Sequence, residues 1–360
     1  MKRQEGNQNH HRCCMINGQS SNRDVTLDIA KAICIILMVI GHSGCPAYLS
    51  RFLYMFHMPC FFFISGYLLG DNNICNLKFG LSKKVKSTYY PFVKWTLIFI
   101  VLHNLFAMLG IYETSYTWSI CADRVVRAFA LRGSEQLLGG FWFLISLFWA
   151  SVFVLLYLSM LKRIKKLTPL FTWTGGAIML AFACSLSLLP ISLPTMFQES
   201  TIMATVFYLS GYNMKCSRWI RSKSSITLLL VPFVVAFFSS FSIHVKGWDC
   251  IVYYLVAMSG TIGTFAVADL ISKTGIRQML SYIGKRTLHI LVFHFLAFKL
   301  VSFFYIIYSN MPISCLSQFP VLKVCSNWLW LVYSIAGVSV SLIIEKLISI
   351  NSKWSVFIKR

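Results

Sequence analysis

Residues 28–42 read Asp28-Ile-Ala-Lys31-Ala-Ile-Cys-Ile-Ile-Leu-Met-Val-Ile-Gly41-His42, an apolar run with two charges near one end and an imidazole at the other. Extended to a window of 26–44, it is long and apolar enough to read as a membrane-spanning helix. A charge at the centre of a bilayer costs about 2.5–3.5 kcal/mol even on a lenient scale, so the ionisable residues inside the run need a physical reason. Asp28 stands three residues before Lys31, close enough in a helix for an ion pair that offsets the lysine's cost. Eleven residues separate Lys31 from His42, about three full turns, so both project from one face.

Windows of the same kind recur at 52–69, 89–111, 140–160, 170–190, 201–212, 226–244, 251–272, 288–308 and 326–350, which predicts an all-α bundle of about ten spans. The chain is 57% hydrophobic and only 12% charged, whereas a soluble domain carries roughly a quarter charged residues. Its formal charge of +22 would suggest nucleic acid in a soluble protein. The position of the charge suggests otherwise. Of 33 Lys and Arg, 23 fall in the two tails and alternate loops, six in the intervening loops and four inside spans. Basic loops resist translocation, so this alternation predicts both termini in the cytoplasm and leaves no nucleic-acid partner to invoke. Residues 1–25 read as a disordered cytoplasmic leader, 26–350 as the membrane domain and 351–360 as a cytoplasmic tail. His42-Ser43-Gly44-Cys45 has a histidine where a lipid-attachment site needs an aliphatic residue. The twelve cysteines lack metal-ligand spacing, so no metal site is indicated; Cys315 and Cys325 share an outer loop in which they could pair.

The second window enters through Arg51-Phe-Leu-Tyr-Met-Phe-His57-Met-Pro59 and continues as Phe61-Phe62-Phe63-Ile64-Ser65-Gly66-Tyr67. A short connection from the first window sets His57 at a depth similar to that of His42. Two imidazoles at one depth in a bundle suggest proton chemistry, because imidazole titrates near neutrality and is the commonest general base. An isolated interfacial histidine bonded to backbone is the plainer alternative for each. His103 with Asn104, Asp269, His289 and His294 could line an interior path, or could each satisfy a helix–helix hydrogen bond.

The run from Asp28 to His42, followed by Phe56-His57-Met58-Pro59 and Phe63-Ile64-Ser65-Gly66-Tyr67, resembles the membrane-bound acyltransferase-3 family, and most closely its fucose 4-O-acetylase-like branch. That family has a basic residue, ten intervening residues and a histidine in its first helix. Here the basic residue is Lys31 rather than arginine, which keeps the charge and loses the planar fork. Lys83-Lys84-Val-Lys86 before Tyr90-Pro91, Gly140-Phe141-Trp142-Phe143-Leu144, and Ile283-Gly284-Lys285-Arg286-Thr287-Leu288-His289 with His294 are similar to later family elements.

The resemblance implies an O-acyltransferase of a bacterial inner membrane, most often moving acetyl from acetyl-CoA to a sugar hydroxyl of a glycan or glycolipid. Acetyl-CoA is then a substrate, and no bound cofactor is implied. Such a reaction needs a base for the acceptor's proton, donors for the oxyanion and positive charge for the donor's phosphates. His42 is the expected base, and His57 would orient it, donate to the oxyanion or protonate the leaving thiolate. Lys31, Lys83, Lys84 and Lys86 would hold the phosphates, although topology alone explains each loop lysine taken singly. Asp28, Ser65, Tyr67, Trp142 and His294 are expected in support. A glycolipid transporter or flippase competes with this reading, but the inverted repeats and paired broken helices common in such folds are not evident. A polysaccharide polymerase would be expected to work from a large outer loop, and 112–139 is modest, though Arg124, Arg127 and Arg132 leave room for an acidic glycan.

Overall fold

The computed structural model describes residues 24–133, 135–189, 193–215, 217–323 and 328–357, and every regular element among them is helical. In chain order the helices are α1 Val25–His42, α2 Ala47–Tyr54, α3 His57–Tyr67, α4 Asp71–Cys75, α5 Leu77–Met108 and α6 Trp118–Phe129. They continue as α7 Gln136–Arg163, α8 Pro169–Leu186, α9 Glu199–Asn213, α10 Lys223–Phe238 and α11 Asp249–Ile271. The last three are α12 Arg277–Gly284, α13 Thr287–Tyr308 and α14 Leu329–Phe357. Among the described residues seven helices are long and apolar enough to cross a membrane: α1, α5, α7, α8, α11, α13 and the Leu329–Ile350 part of α14. The three remaining sequence windows fall on shorter helices, α2 with α3, α9 and α10.

The window 52–69 is not one helix. Phe56 has φ −141° and ψ −20°, outside the helical region, and it separates α2 from α3. The physical reason is Pro59. Its ring lacks an N–H and would collide with the carbonyl four residues back, so a helix cannot run through 55–59, whereas proline is tolerated in the first turn of a new one. The leader assigned to 1–25 lies, up to residue 23, outside the described residues, as does Cys325 of the suggested Cys315–Cys325 pair. The helical backbone of α14 continues past residue 350 into the stretch read as the tail.

Helices α1, α3, α9, α11 and α13 form the centre, joined by a core that includes Phe62, Phe63, Phe207, Phe265, Phe295 and Phe298. Of the long helices, α11 and α13 are the most buried and α8 and α14 the least. Helix α9 is buried from Ser200 through Gly211 without a break, so it is enclosed by protein on all sides, which is how a 15-residue element with no amphipathic face is accommodated. Its contact with α3 is backbone on backbone. A Cβ at Gly66 would overlap the Tyr208 carbonyl oxygen, and one at Gly211 would overlap that of Phe63, so the two glycines allow the helices to interlock. A similar approach occurs between α12 and α1, where a Cβ at Gly284 would overlap the Asp28 carbonyl oxygen.

A histidine cluster as candidate active site

His42 ends α1 beneath two aromatic neighbours and a second imidazole. Its ring lies 5.6 Å from that of His294 on α13, 5.1 Å from Phe295 and 6.0 Å from Tyr54 on α2. Tyr54 in turn stands 5.3 Å from His57, the first residue of α3. Three histidines and a tyrosine from four helices therefore form one continuous cluster. The break at Phe56 lets α2 take a direction of its own, and the Tyr54 hydroxyl at its end reaches Gly41 and His42 at the end of α1.

Hydrogen bonds fix the proton positions on two of the rings. His57 Nδ1 is 2.6 Å from the Leu53 carbonyl oxygen, and His294 Nδ1 is 3.0 Å from both the Ile290 and Leu291 carbonyl oxygens. A carbonyl only accepts, so each Nδ1 carries the proton and each neutral ring presents Nε2 as a lone pair. The sequence reading allowed His57 to donate to an oxyanion; from Nε2 it does so only after it has itself been protonated. His294 Nε2 is buried with no hydrogen-bond partner among the described residues. His42 is different. The Tyr54 hydroxyl lies 3.2 Å from His42 Nδ1 and 3.3 Å from the Gly41 carbonyl oxygen, and it has one proton for two acceptors. When that proton goes to Gly41, His42 Nδ1 donates to the phenol oxygen and Nε2 becomes the base.

Cys45 follows α1 close to Tyr54 and would be an alternative nucleophile. Burial pushes its thiol up to about 11, so it is protonated near neutrality and poorly nucleophilic.

His57 and His294 are buried, while His42 and Tyr54 keep part of their surface open. Helix α13 continues fourteen residues, about 21 Å, beyond His294. From that extension Lys299 sends a buried ammonium to the carbonyls of Leu316 at 2.8 Å and Gln318 at 2.5 Å. The clamp holds Phe319 against Phe295, ring to ring at 4.7 Å, and Phe295 lies on both His42 and His294. Through Phe295 and Phe319 the loop 313–322 comes next to the end of α1 at His42.

The other predicted residues divide into two groups. Lys31 pairs with Asp28 at 3.9 Å, on the face of α1 that leads to His42, with Asp28 buried and Lys31 partly open. Gly284 closes against Asp28, so the late glycine element meets the first helix. Ser65 donates to the Phe61 carbonyl within its own helix. Tyr67 accepts from Arg221, which also binds Asp24 at the start of α1, so Tyr67 belongs to a network at the opposite end from His42. Lys84 donates to the buried Tyr208 hydroxyl at 2.8 Å, whereas Lys83 and Lys86 are exposed. Trp142 packs 5.4 Å from His244. His103 is engaged structurally, by Glu135 at 2.7 Å and the Thr114 carbonyl at 3.0 Å, between the rings of Tyr112 and Tyr116. Sequence reasoning missed Tyr54 and Lys299; Pro59 was the available signal for the first, and a lone lysine in the middle of an apolar window for the second.

The sequence model of the acyltransferase-3 family, described as an acyltransferase domain, matches residues 24–346. Two curated relatives are each described as "Nodulation protein NolL". The one from Mesorhizobium japonicum is 29% identical over 188 residues, covering 48% of this chain and 45% of that protein. The one from Sinorhizobium fredii is 30% identical over 187 residues, covering 48% and 44%. The chain thus spans about half the length of the curated relatives it matches. No solved structure matches it.

Proposed function

The chain belongs to the acyltransferase-3 family, and from that premise we propose that it is a membrane O-acyltransferase moving an acyl group, acetyl above all, from acyl-CoA to a sugar hydroxyl of a glycan or glycolipid. The observation that carries the reading is the state of the histidines: His57 and His294 present only lone pairs, and His42 can do the same through Tyr54. Imidazole nitrogens left free to accept a proton suit a reactant that brings one, as a hydroxyl does.

In the proposed step the sugar oxygen attacks the thioester carbonyl carbon while its proton passes to His42 Nε2. The carbon–sulfur bond then breaks and the thiolate takes that proton, leaving an ester and a free thiol. Tyr54 holds the base in the accepting tautomer. Lys31 supplies positive charge about 16 Å along α1 from His42, a separation that lets CoA lie along the helix with its phosphates at one end. Lys83 and Lys86 extend that charge at the surface, while Lys84, bonded to Tyr208, is the least available of the three. Under this proposal both termini face the cytoplasm of a bacterial inner membrane, where CoA is present, and the acceptor approaches from the other face. The fucose 4-O-acetylase-like branch is part of the same proposal. The test is acetyl-CoA consumption by purified protein in nanodiscs. Consumption is expected only with a glycan acceptor, with the acyl group recovered as an ester; consumption indifferent to acceptor would remove the reading.

A further inference from the structure

Lys299 stands in the middle of the apolar helix α13 and is only 2% exposed. A lysine buried in a membrane span is costly, so its presence calls for a gain elsewhere. Orientation does not supply one, because the residues that set it lie in loops. An ion pair does not either: among the described residues Lys299 has no carboxylate partner. Its Nζ donates instead to the carbonyls of Leu316 at 2.8 Å and Gln318 at 2.5 Å, where the 3₁₀ turn Ile313–Ser317 ends. The last carbonyls of a helical turn lack partners in the turn itself, and a lysine is suited to hold them. A methionine of similar length would fill the space without the charge. What the ammonium adds is a fixed position for the segment that follows.

That segment meets the surroundings of His42 on two sides. Phe319 packs on Phe295 at 4.7 Å, and Phe295 packs on His42 at 5.1 Å and on His294 at 4.0 Å. Val321 meets Gly44, two residues after His42, where an added Cβ would stand 3.2 Å from Val321 Cγ2. Gly44 has φ +80°, so the chain leaves α1 by a turn that favours glycine. The far end is tied as well, by the Leu322 N–H to the Tyr333 hydroxyl at 3.5 Å, which shares a 2.8 Å hydrogen bond with Ser302. Held at both ends, residues 316–322 bear on the ring beside His42 and on the chain just after it. The proposed base needs one orientation, with Nδ1 toward Tyr54 and Nε2 free for the acceptor. We propose that Lys299 is a positioning residue for His42, acting through Phe319 and Val321. The effect on rate rests on the acyl-transfer reading; the effect on the imidazole rests on the contacts alone.

The test uses full-length protein in nanodiscs, as wild type, Lys299→Met, Phe319→Ala and the two combined. Steady-state kinetics give kcat and both KM values. Independently, mass spectrometry follows the rate at which diethyl pyrocarbonate modifies His42 without substrate, relative to the exposed His244. Each single variant should lower kcat about tenfold and leave the acetyl-CoA KM unchanged, the usual mark of a misplaced group. Each should also change the relative reactivity of His42. The combined variant should fall no further than the worse single one, since both act through one chain of contacts. A role confined to packing would lower the melting temperature and leave the relative reactivity of His42 as it is in wild type; that result overturns the proposal, as do losses that multiply in the combined variant. If wild type transfers no acyl group, altered His42 reactivity in Lys299→Met supports the positioning while the reaction falls. Should Lys299→Met aggregate, Phe319→Ala, which leaves Lys299 on its carbonyls, carries the same comparison with wild type.

Discussion

Tyr54 makes the sharpest demand on a single atom, since its hydroxyl proton is shared between His42 Nδ1 and the Gly41 carbonyl. Tyr54→Phe keeps the ring against His57 and removes only the hydrogen bond. A bond of this kind is worth about 1–1.5 kcal/mol, so kcat should fall roughly tenfold with both KM values unchanged. A variant with wild-type kcat would show that Tyr54 only packs. His42→Ala should lose about 10²–10⁴-fold, the usual contribution of a positioned base, with membrane insertion unaffected. For Lys31, a point charge is the proposed role, so Lys31→Arg should retain activity and Lys31→Met should lose it; an active methionine variant would reduce the residue to the partner of Asp28. Most of this site could be read in advance. His42, Lys31 and Asp28 share one helix, where spacing alone sets the face, and His57 follows after a short connection. Tyr54 could not, because its contact depends on a break between α2 and α3 that a continuous window 52–69 conceals. His294 was legible as a candidate and not as a neighbour of His42, since nothing local relates residues some 250 positions apart.

Among the elements, the interlock of α3 and α9 decides whether the centre assembles. Gly66→Val and Gly211→Val would each drive a side chain into a facing backbone carbonyl, a site that no rotamer change can relieve. Each should cost more than about 2 kcal/mol, seen as a lower melting temperature or loss of the monodisperse peak in detergent, whereas Gly275→Ala, with open space around it, should be neutral. A normal melting curve for both valine variants would mean that the helices stand further apart than described. Gly284→Val should act on α1 through Asp28 and reduce activity along with stability. The long spans were legible because a bilayer demands about twenty apolar residues of any unaided helix. Helix α9 was the hardest to assign. Enclosed by protein, it does not need bilayer length, so hydropathy and span length part company there.

Across the whole chain, the alternation of basic loops predicts that reporters fused at successive loops will report alternate sides, with both ends cytoplasmic; ends on opposite sides would remove the proposed orientation. In sealed, oriented vesicles, acetyl-CoA on the cytoplasmic face and an impermeant acceptor on the other should together yield ester. Product formed only when both substrates share the cytoplasmic face would refute the sidedness and leave acyl transfer standing. The flank beside His42 was the part of the molecule least visible in the sequence. It is made by a loop of mixed composition, and its fastening by Lys299 on two backbone carbonyls leaves no pattern in side-chain chemistry. That flank has a consequence for which positions of a polymer such an enzyme would modify. In the proposed reaction an acceptor reaching His42 beside the loop 313–322 and about 21 Å of α13 does so more readily by a chain end than by a chain passing through. Modification should therefore mark termini, once per chain, and the ester content of the product should scale with the number of chains rather than with their length.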